Sequence, residues 1–391
     1  MERSLIKQVN RKNMGARLNT RHVRAMYFPN FFGIKKVASL KWETLTGEKG
    51  APVVADVISW DASAPQKTRE VIAKLSGEIP KIAVKRGMNE SDYHEYKQLQ
   101  RDASGDAAQL EILNLAFKDQ DFVYNAVRAR FEWWTMQMMS RGGFLLNANN
   151  NNGVVTAEFV GCGMPNENRL KSSADWSNAA TADGLQDIED AIVKASENGI
   201  NVKFVVMHTS SFSMLKKQKS TVEKIKGWIN GTTKITVTKD LINQYLSEQE
   251  IPVKIVTVSP AVRIEDKSRR RKTVNPWARG RVCFLEDLSV GDIQHGPIAA
   301  ESSEAVAKKA ITVKKDFVFL TKWSELEPFK EWTKAEANAF PVVNDPDAMY
   351  IMKTDGVAWS DAENTEGTDN IPARFLGEDV EQESNKAEDE A

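Results

Sequence analysis

Residues 106–143, DAAQLEILNLAFKDQDFVYNAVRARFEWWTMQMMSRGG, hold the longest regular pattern in the chain. Leu110, Leu113, Phe117, Val123, Val127, Phe131 and Trp134 recur three, four or six positions apart, the spacing of one helix face, and Arg141, Gly142 and Gly143 supply a stop. The pattern predicts a helix over 106–139, on the order of 50 Å long at about 1.5 Å per residue. That exceeds an ordinary globular helix and reads as a spine.

Upstream lies a stretch of the opposite kind. Leu40, Lys41, Trp42 and Glu43 alternate apolar with polar, residues 47–50 read as a turn, and apolar character returns over 53–60, 71–75 and 79–84. Alternation with period two predicts strands that each bury one face. An isolated hairpin is marginal in water, so residues 35–88 are expected to find their partner surface on another copy of the chain, with Leu40, Trp42, Val57 and Trp60 as contact residues.

Outward from the spine, Asn89 or Ser91 caps a short preceding helix, and residues 144–148 and 154–160 form a hairpin across an Asn- and Gly-rich turn. A helix over 185–197 ends at Gly199, a strand follows at 202–207, short helices fall within 212–228 and 241–246, and a strand occupies 253–258. Such alternation favours an α/β layer. Further elements are a hairpin pairing 262–265 with 281–285, a strand over 313–321, a helix over 328–340 and a closing strand over 349–353. The fold class is α+β.

The chain has 391 residues and a formal net charge of -1, but the charge is polarised. Residues 1–36 carry nine bases against Glu2, a net of +8, while residues 355–391 carry twelve acids against Arg374 and Lys386, a net of -10. Blocks of this kind are solvated tails or interaction arms. In the basic lead-in, Met26, Tyr27, Phe28, Phe31 and Phe32 are expected to dock, and the rest is expected to be a flexible arm whose cations Arg3, Lys7, Arg11, Lys12, Arg17, Arg21 and Arg24 reach phosphate or a neighbour's acidic surface. The segment beyond Thr354 is expected to be disordered or weakly held.

Two cysteines and four scattered histidines supply neither a disulfide framework nor zinc spacing, so no metal and no cofactor is expected. Phosphate-loop, dinucleotide, nucleophile-elbow and HExxH motifs are absent, and with them the strongest sequence routes to an enzyme. No apolar h-region follows the N-terminal bases and no apolar run of about twenty residues occurs, so neither a signal peptide nor a membrane span is expected. The basic run at 267–272 reads as a solvated hairpin tip, Gly161, Cys162 and Gly163 as a turn, Trp133 and Trp134 as core, and His208 as a satisfied, partly buried side chain.

The order of these elements resembles the major capsid proteins of tailed bacteriophages, and within them the family of the phage lambda capsid protein E, which has the HK97-like fold. The motifs that carry the resemblance are Asp175 and Trp176 within residues 173–177, ahead of the helix that begins near Asp183; the strand over 202–208 followed by Phe212, Leu215 and Lys216; and Pro341, Asp345, Pro346 and Asp347 before the last strand. It implies a basic N-terminal arm (1–34), an extended loop or E-loop (35–88), a P domain with spine helix and hairpin (89–179), an A domain (180–300), a return to the P domain (301–354) and an acidic C-terminal tail (355–391). It further implies a virion shell protein, assembled in the host cytoplasm as hexamers and pentamers around double-stranded DNA that is contacted non-specifically. A scaffolding protein, a portal and a decoration protein are the implied partners. Crosslinking through Lys41, Lys49, Lys67, Lys74 or Lys81, known for other shells of this fold, is not expected of the lambda-like branch. An encapsulin-like compartment shares the fold, and a DNA-binding protein with a basic arm is the reading from a different class.

Overall fold

The computed structural model describes residues 4–6, 9–20, 25–46, 73–102, 106–146, 150–151, 158–229, 235–251, 253–265, 271–327, 329–360 and 363. Val57, Trp60 and most of the 267–272 run lie outside them. The chain forms two compact units, one from residues 1–43, 76–132 and 292–342, the other from 44–75, 133–291 and 343–391. The expected spine is a single helix, Asp106–Arg141, with residues in both units.

In the first unit a six-stranded sheet is built on the strand Phe329–Val343. It pairs antiparallel with Val318–Leu326, from Phe319 opposite Glu336 to Leu326 opposite Phe329. It also pairs antiparallel with Lys81–Asn89, from Asn89 opposite Lys330 to Lys81 opposite Asn338. Gly291–His295 pairs with it as well, and Phe32–Lys36 and Ile311–Lys315 are the outer strands of the sheet order.

This strand corrects the expected helix over 328–340. Its Ala, Glu and Lys content favours a helix, yet Glu331, Thr333, Ala335, Ala337 and Ala339 are all buried, a period of two. Tertiary pairing overrides propensity here, because small alternate side chains let the sheet face pack closely. The strand expected over 313–321 is likewise two strands, Ile311–Lys315 and Val318–Leu326, which fold back on each other with Asp316 at a positive φ of 53°. On the spine, Phe131 is fully buried and packs edge-on against Phe317 at 4.6 Å between centroids.

The second unit centres on a five-stranded sheet in the order Arg169–Lys171, Tyr350–Lys353, Arg281–Leu285, Phe204–His208, Lys254–Val258. The outer pairs are parallel and the inner ones antiparallel. Arg281–Leu285 was expected to pair with residues 262–265. Instead Val262–Glu265 pairs with Arg271–Val274, and Arg281–Leu285, buried along its whole length, runs between the closing strand and Phe204–His208. A strand that is apolar at every position after its first belongs inside a sheet covered on both faces. The helices Gly184–Glu197, Thr209–Leu215, Lys219–Ile229 and Lys239–Glu248 complete the core through Leu185, Ile188, Leu215, Ile225, Ile242 and Leu246. Gly143–Leu146 pairs with Glu158–Gly161 as expected, and Trp134 stacks on Phe144 at 5.3 Å, which makes it core.

Truncation of Phe131 to Ala is expected to cost about 3–5 kcal/mol, read as a lower urea midpoint. Leu326→Ala, at a side chain 81% exposed in the same unit, is expected to change stability by less than about 0.5 kcal/mol.

Candidate functional site

The basic arm folds onto its own chain. Asn10 accepts the Asn13 N–H at 2.9 Å and so caps the helix Arg11–Thr20. Ile6, Val9 and Met14 are buried in a cluster with Tyr96, Phe117 and Ile311, and Leu18 is buried too. Burial of such a side chain contributes roughly 1.5–3 kcal/mol, which is ample to order a short helix of poor amphipathicity. Polar contacts fix the position: Gln120 Nε2 donates to the Met14 carbonyl at 2.9 Å, Lys315 Nζ to the Leu18 carbonyl, and Arg17 to Asn114 and Asp121 at 3.0 and 3.1 Å.

At the start of the arm the Ser4 hydroxyl and the Leu5 N–H donate to the Glu331 carboxylate, which also lies 3.6 Å from Lys322 Nζ. Glu331 and Lys322 are both buried. The flexible arm is thereby corrected for residues 4–6 and 9–20. Four apolar residues scattered among bases carry no obvious periodicity, and they suffice because their partners lie far along the chain. Of the seven cations expected to project from the arm, Arg17 is committed internally, Arg11 and Lys12 are exposed, and Arg3, Lys7, Arg21 and Arg24 lie outside the described residues.

The aromatic end of the lead-in docks as expected. Phe28, Phe31 and Phe32 are buried, and the backbone N–H groups of Tyr27 and Phe28 donate to the two carboxylate oxygens of buried Glu132 at 3.0 and 2.9 Å.

Beyond it, parts of the extended stretch also find partners within the chain. Lys41–Thr46 pairs with Ala73–Glu78, and Trp42 stacks on Phe340 at 5.1 Å and 15° while covering Gly77, where a Cβ would meet the indole at 2.7 Å. Leu40 lies against Gly296 and remains 45% exposed. Phe32–Lys36, Trp42 and Lys81–Asn89 thus each have a partner within the chain.

The motif residues near 175 and 345 lie in the second unit. Trp176 is fully buried; its indole N–H donates to Asp187 Oδ2 at 2.7 Å and its backbone N–H to the Thr354 carbonyl at 2.8 Å. Asp187 Oδ1 accepts the Ser173 N–H at 2.8 Å, and Asp175 Oδ1 accepts the Ser177 N–H at 2.9 Å. The loop is tied in this way to both the helix Gly184–Glu197 and the end of the closing strand. Asp345 precedes the turn Pro346–Ala348, and Asn168 Nδ2 donates to the carbonyls of Asp347 and Met349 at 2.7 and 3.1 Å. Pro341 is buried inside the long strand.

Sequence reasoning missed a group of charges in the second unit. Arg281 and Lys353 are both buried, and their side chains meet Glu363 at 3.1 and 3.0 Å, with Asp355 3.6 Å from Lys353. Lone charges at the edges of apolar strands were the available signal, since such residues are almost never fully buried unless paired. Burial pushes the Glu363 carboxyl up, but the Ser360 N–H, Lys353 and Arg281 outweigh it and hold it below its ordinary 4.5. Burial, with Arg281 nearby, brings Arg141 down to about 9.

His208 is held down to about 4 by burial and then by Arg279; its Nδ1 accepts the Ser210 N–H at 3.0 Å and its Nε2 lies 2.9 Å from Asn275 Nδ2. This is the satisfied histidine that was expected. Burial raises both Cys162 and Cys283, the latter beyond the range in which a thiolate is available. Among the described residues no cluster of metal-ligating side chains occurs, and no helix is long and apolar enough to cross a membrane.

The model of the phage major capsid protein E family matches residues 5–354. No curated protein is significantly similar in sequence. A candidate capsid protein from a prophage of Escherichia coli CFT073 is similar in structure with a TM-score of 0.55 at 16% identity, over 88% of this chain and 99% of that one. A phage-related protein from Bordetella bronchiseptica RB50 is similar with a TM-score of 0.52 at 12% identity, over 89% of this chain and 98% of that one.

Trp176→Phe, which keeps the ring but deprives Asp187 of its indole donor, is expected to cost about 1–3 kcal/mol, measurable by chemical unfolding. The depressed Glu363 carboxyl stabilises the folded chain fully above its ordinary 4.5, and that stabilisation is lost as pH falls through the lower folded value. Hydrogen exchange at Ser360 and Glu363, corrected for intrinsic rate, is accordingly expected to stay protected down to about pH 5 and to lose protection in stronger acid.

Proposed function

The chain belongs to the phage major capsid protein E family, and on that premise we propose that it builds an icosahedral phage head as hexamers and pentamers of one fold. Membership makes it a major capsid protein with the HK97-like fold. What carries the assembly reading is the extent of the family match, which takes in the seated arm, the spine helix and both sheets rather than one local motif.

In this reading the working principle is geometric. The spine helix and the two sheets hold the shape of each subunit, and contacts between copies are made by surface that the chain does not bury for itself. Ile34, Leu40 and Leu326 are large apolar side chains 50%, 45% and 81% exposed in the first unit, and Arg11 and Lys12 are exposed on the arm. Residues 35–88 act as the extended loop, residues 89–179 and 301–354 as the P domain and residues 180–300 as the A domain. Obligate interfaces of this kind commonly exceed about 2,000 Å². The partners are further copies of the chain, a separate scaffolding protein, a portal, a decoration protein and packaged double-stranded DNA; assembly takes place in the host cytoplasm.

Electron microscopy of the chain, expressed with its scaffolding protein, tests the proposal: shells or hexameric rings are expected, and a persistent monomer of 43.8 kDa overturns it. Reversing both exposed arm charges, Arg11→Glu with Lys12→Glu, is expected to leave thermal unfolding unchanged while lowering shell yield several-fold and altering its salt dependence. Unchanged yield would remove these cations from the assembly contacts.

A further inference from the structure

The segment after the closing strand is held as a ligand is held. Trp359 lays its indole against the guanidinium groups of Arg281 and Arg169, at 4.5 and 5.0 Å from the ring centroid, and donates its N–H to the Leu170 carbonyl at 2.7 Å. Glu363 sends its buried carboxylate to Arg281 Nη2 at 3.1 Å and to Lys353 Nζ at 3.0 and 3.2 Å. Three strands of one sheet thus present Arg169, Arg281 and Lys353 to an aromatic ring and a carboxylate four positions apart.

The segment is also organised within itself. Ser360 and Glu363 exchange hydrogen bonds: the Ser360 N–H donates to Glu363 Oε2 at 2.8 Å and the Glu363 N–H to Ser360 Oγ at 3.2 Å. This is the S-x-x-E capping pattern, and it presets the carboxylate before the cations are met, which lowers the ordering cost of binding. The link back to the sheet is Gly356, at a positive φ of 75°, followed by Val357 and Ala358, both exposed. Arg169, Arg281 and Lys353 lie inside the stretch matched by the family model, whereas Trp359, Ser360 and Glu363 lie beyond its end at residue 354.

We propose that Arg169, Arg281 and Lys353 form a peptide-binding socket for an acidic turn of the form Trp-Ser-x-x-Glu, and that its occupant is this chain's own Trp359, Ser360 and Glu363. The socket clasps the C-terminal segment to the sheet and fixes the point from which residues 364–391, with a net charge of -7, continue. Loss of the carboxylate is destabilising, because it takes a close ionic contact from each of two buried cations, Arg281 and Lys353, the latter keeping Asp355 at 3.6 Å. The aromatic ring adds selectivity for the turn over an arbitrary acid, since it supplies a cation–π face and a fixed N–H donor together.

The test empties the socket in the full chain with Trp359→Ala and Glu363→Ala and adds a fluorescent peptide of residues 355–366. The emptied chain is expected to bind it saturably, at least about tenfold more tightly than the natural chain, whose socket is filled. Peptides carrying Trp359→Ala or Glu363→Gln are expected to bind at least about tenfold more weakly than the natural peptide. Equal binding by both chains, no binding by a folded emptied chain, or binding indifferent to the peptide's tryptophan overturns the proposal.

Should the doubly substituted chain fail to fold, hydrogen exchange on the full natural chain and on Glu363→Gln decides. The amides of Ser360 and Glu363 are expected to be protected in the natural chain and to lose on the order of a hundredfold in the variant, with Phe204–His208 unchanged. Free exchange of those amides in the natural chain, or undiminished protection in the variant, overturns it equally.

Discussion

A carboxylate taken out of water must be met by donors, and in this chain that requirement organises the ends. Glu132, Glu331 and Glu363 are all buried. Each is met by at least one group distant in sequence: Glu132 by the backbone of Tyr27 and Phe28, Glu331 by Ser4 and Leu5 with Lys322 nearer by, Glu363 by Arg281 with Lys353 nearer by. An isolated ionised group in low dielectric costs several kcal/mol after relaxation. The segments that supply these donors are therefore not optional decoration on the two units. In the first unit this ties the basic lead-in to the sheet and the spine, and in the second it ties the closing segment to the strands.

How much of this was legible beforehand depended on whether the signal was local. The spine helix, the helix after Asp183, the strand near 204 and the closing strand were readable, since their periodicity is set by nearest neighbours in sequence. The strand Phe329–Val343 was not, because its Ala, Glu and Lys content favours a helix and only its sheet partners Val318–Leu326 and Lys81–Asn89 select the extended form. The hairpin expected between residues 262–265 and 281–285 failed for a related reason. Arg281–Leu285 is claimed by strands on both sides that come from residues 204–208 and 350–353, and no local turn signal reports a non-local pairing.

Of the candidate residues, Trp176 shows what a motif can and cannot disclose. Asp175 and Trp176 stood out in the sequence, but what holds the tryptophan is the indole bond to Asp187 and the backbone bond to Thr354, one eleven residues away and the other at the end of the closing strand. The arm shows the converse. Its cations were conspicuous and its anchors, Ile6, Val9, Met14 and Leu18, were not, although the anchors hold it to the chain. Hydrophobic burial needs only area removed from water and has no required spacing when the receiving surface is irregular.

The extended stretch can now be divided by physical need. A strand edge exposed to water invites pairing; Lys81–Asn89 pairs one of its edges with Phe329–Val343, and Trp42 lays its indole on Phe340. Among the described residues of the first unit, the large apolar side chains left exposed are Ile34, Leu40 and Leu326. Association through such residues would add apolar area to a folded unit without redistributing its hydrogen bonds.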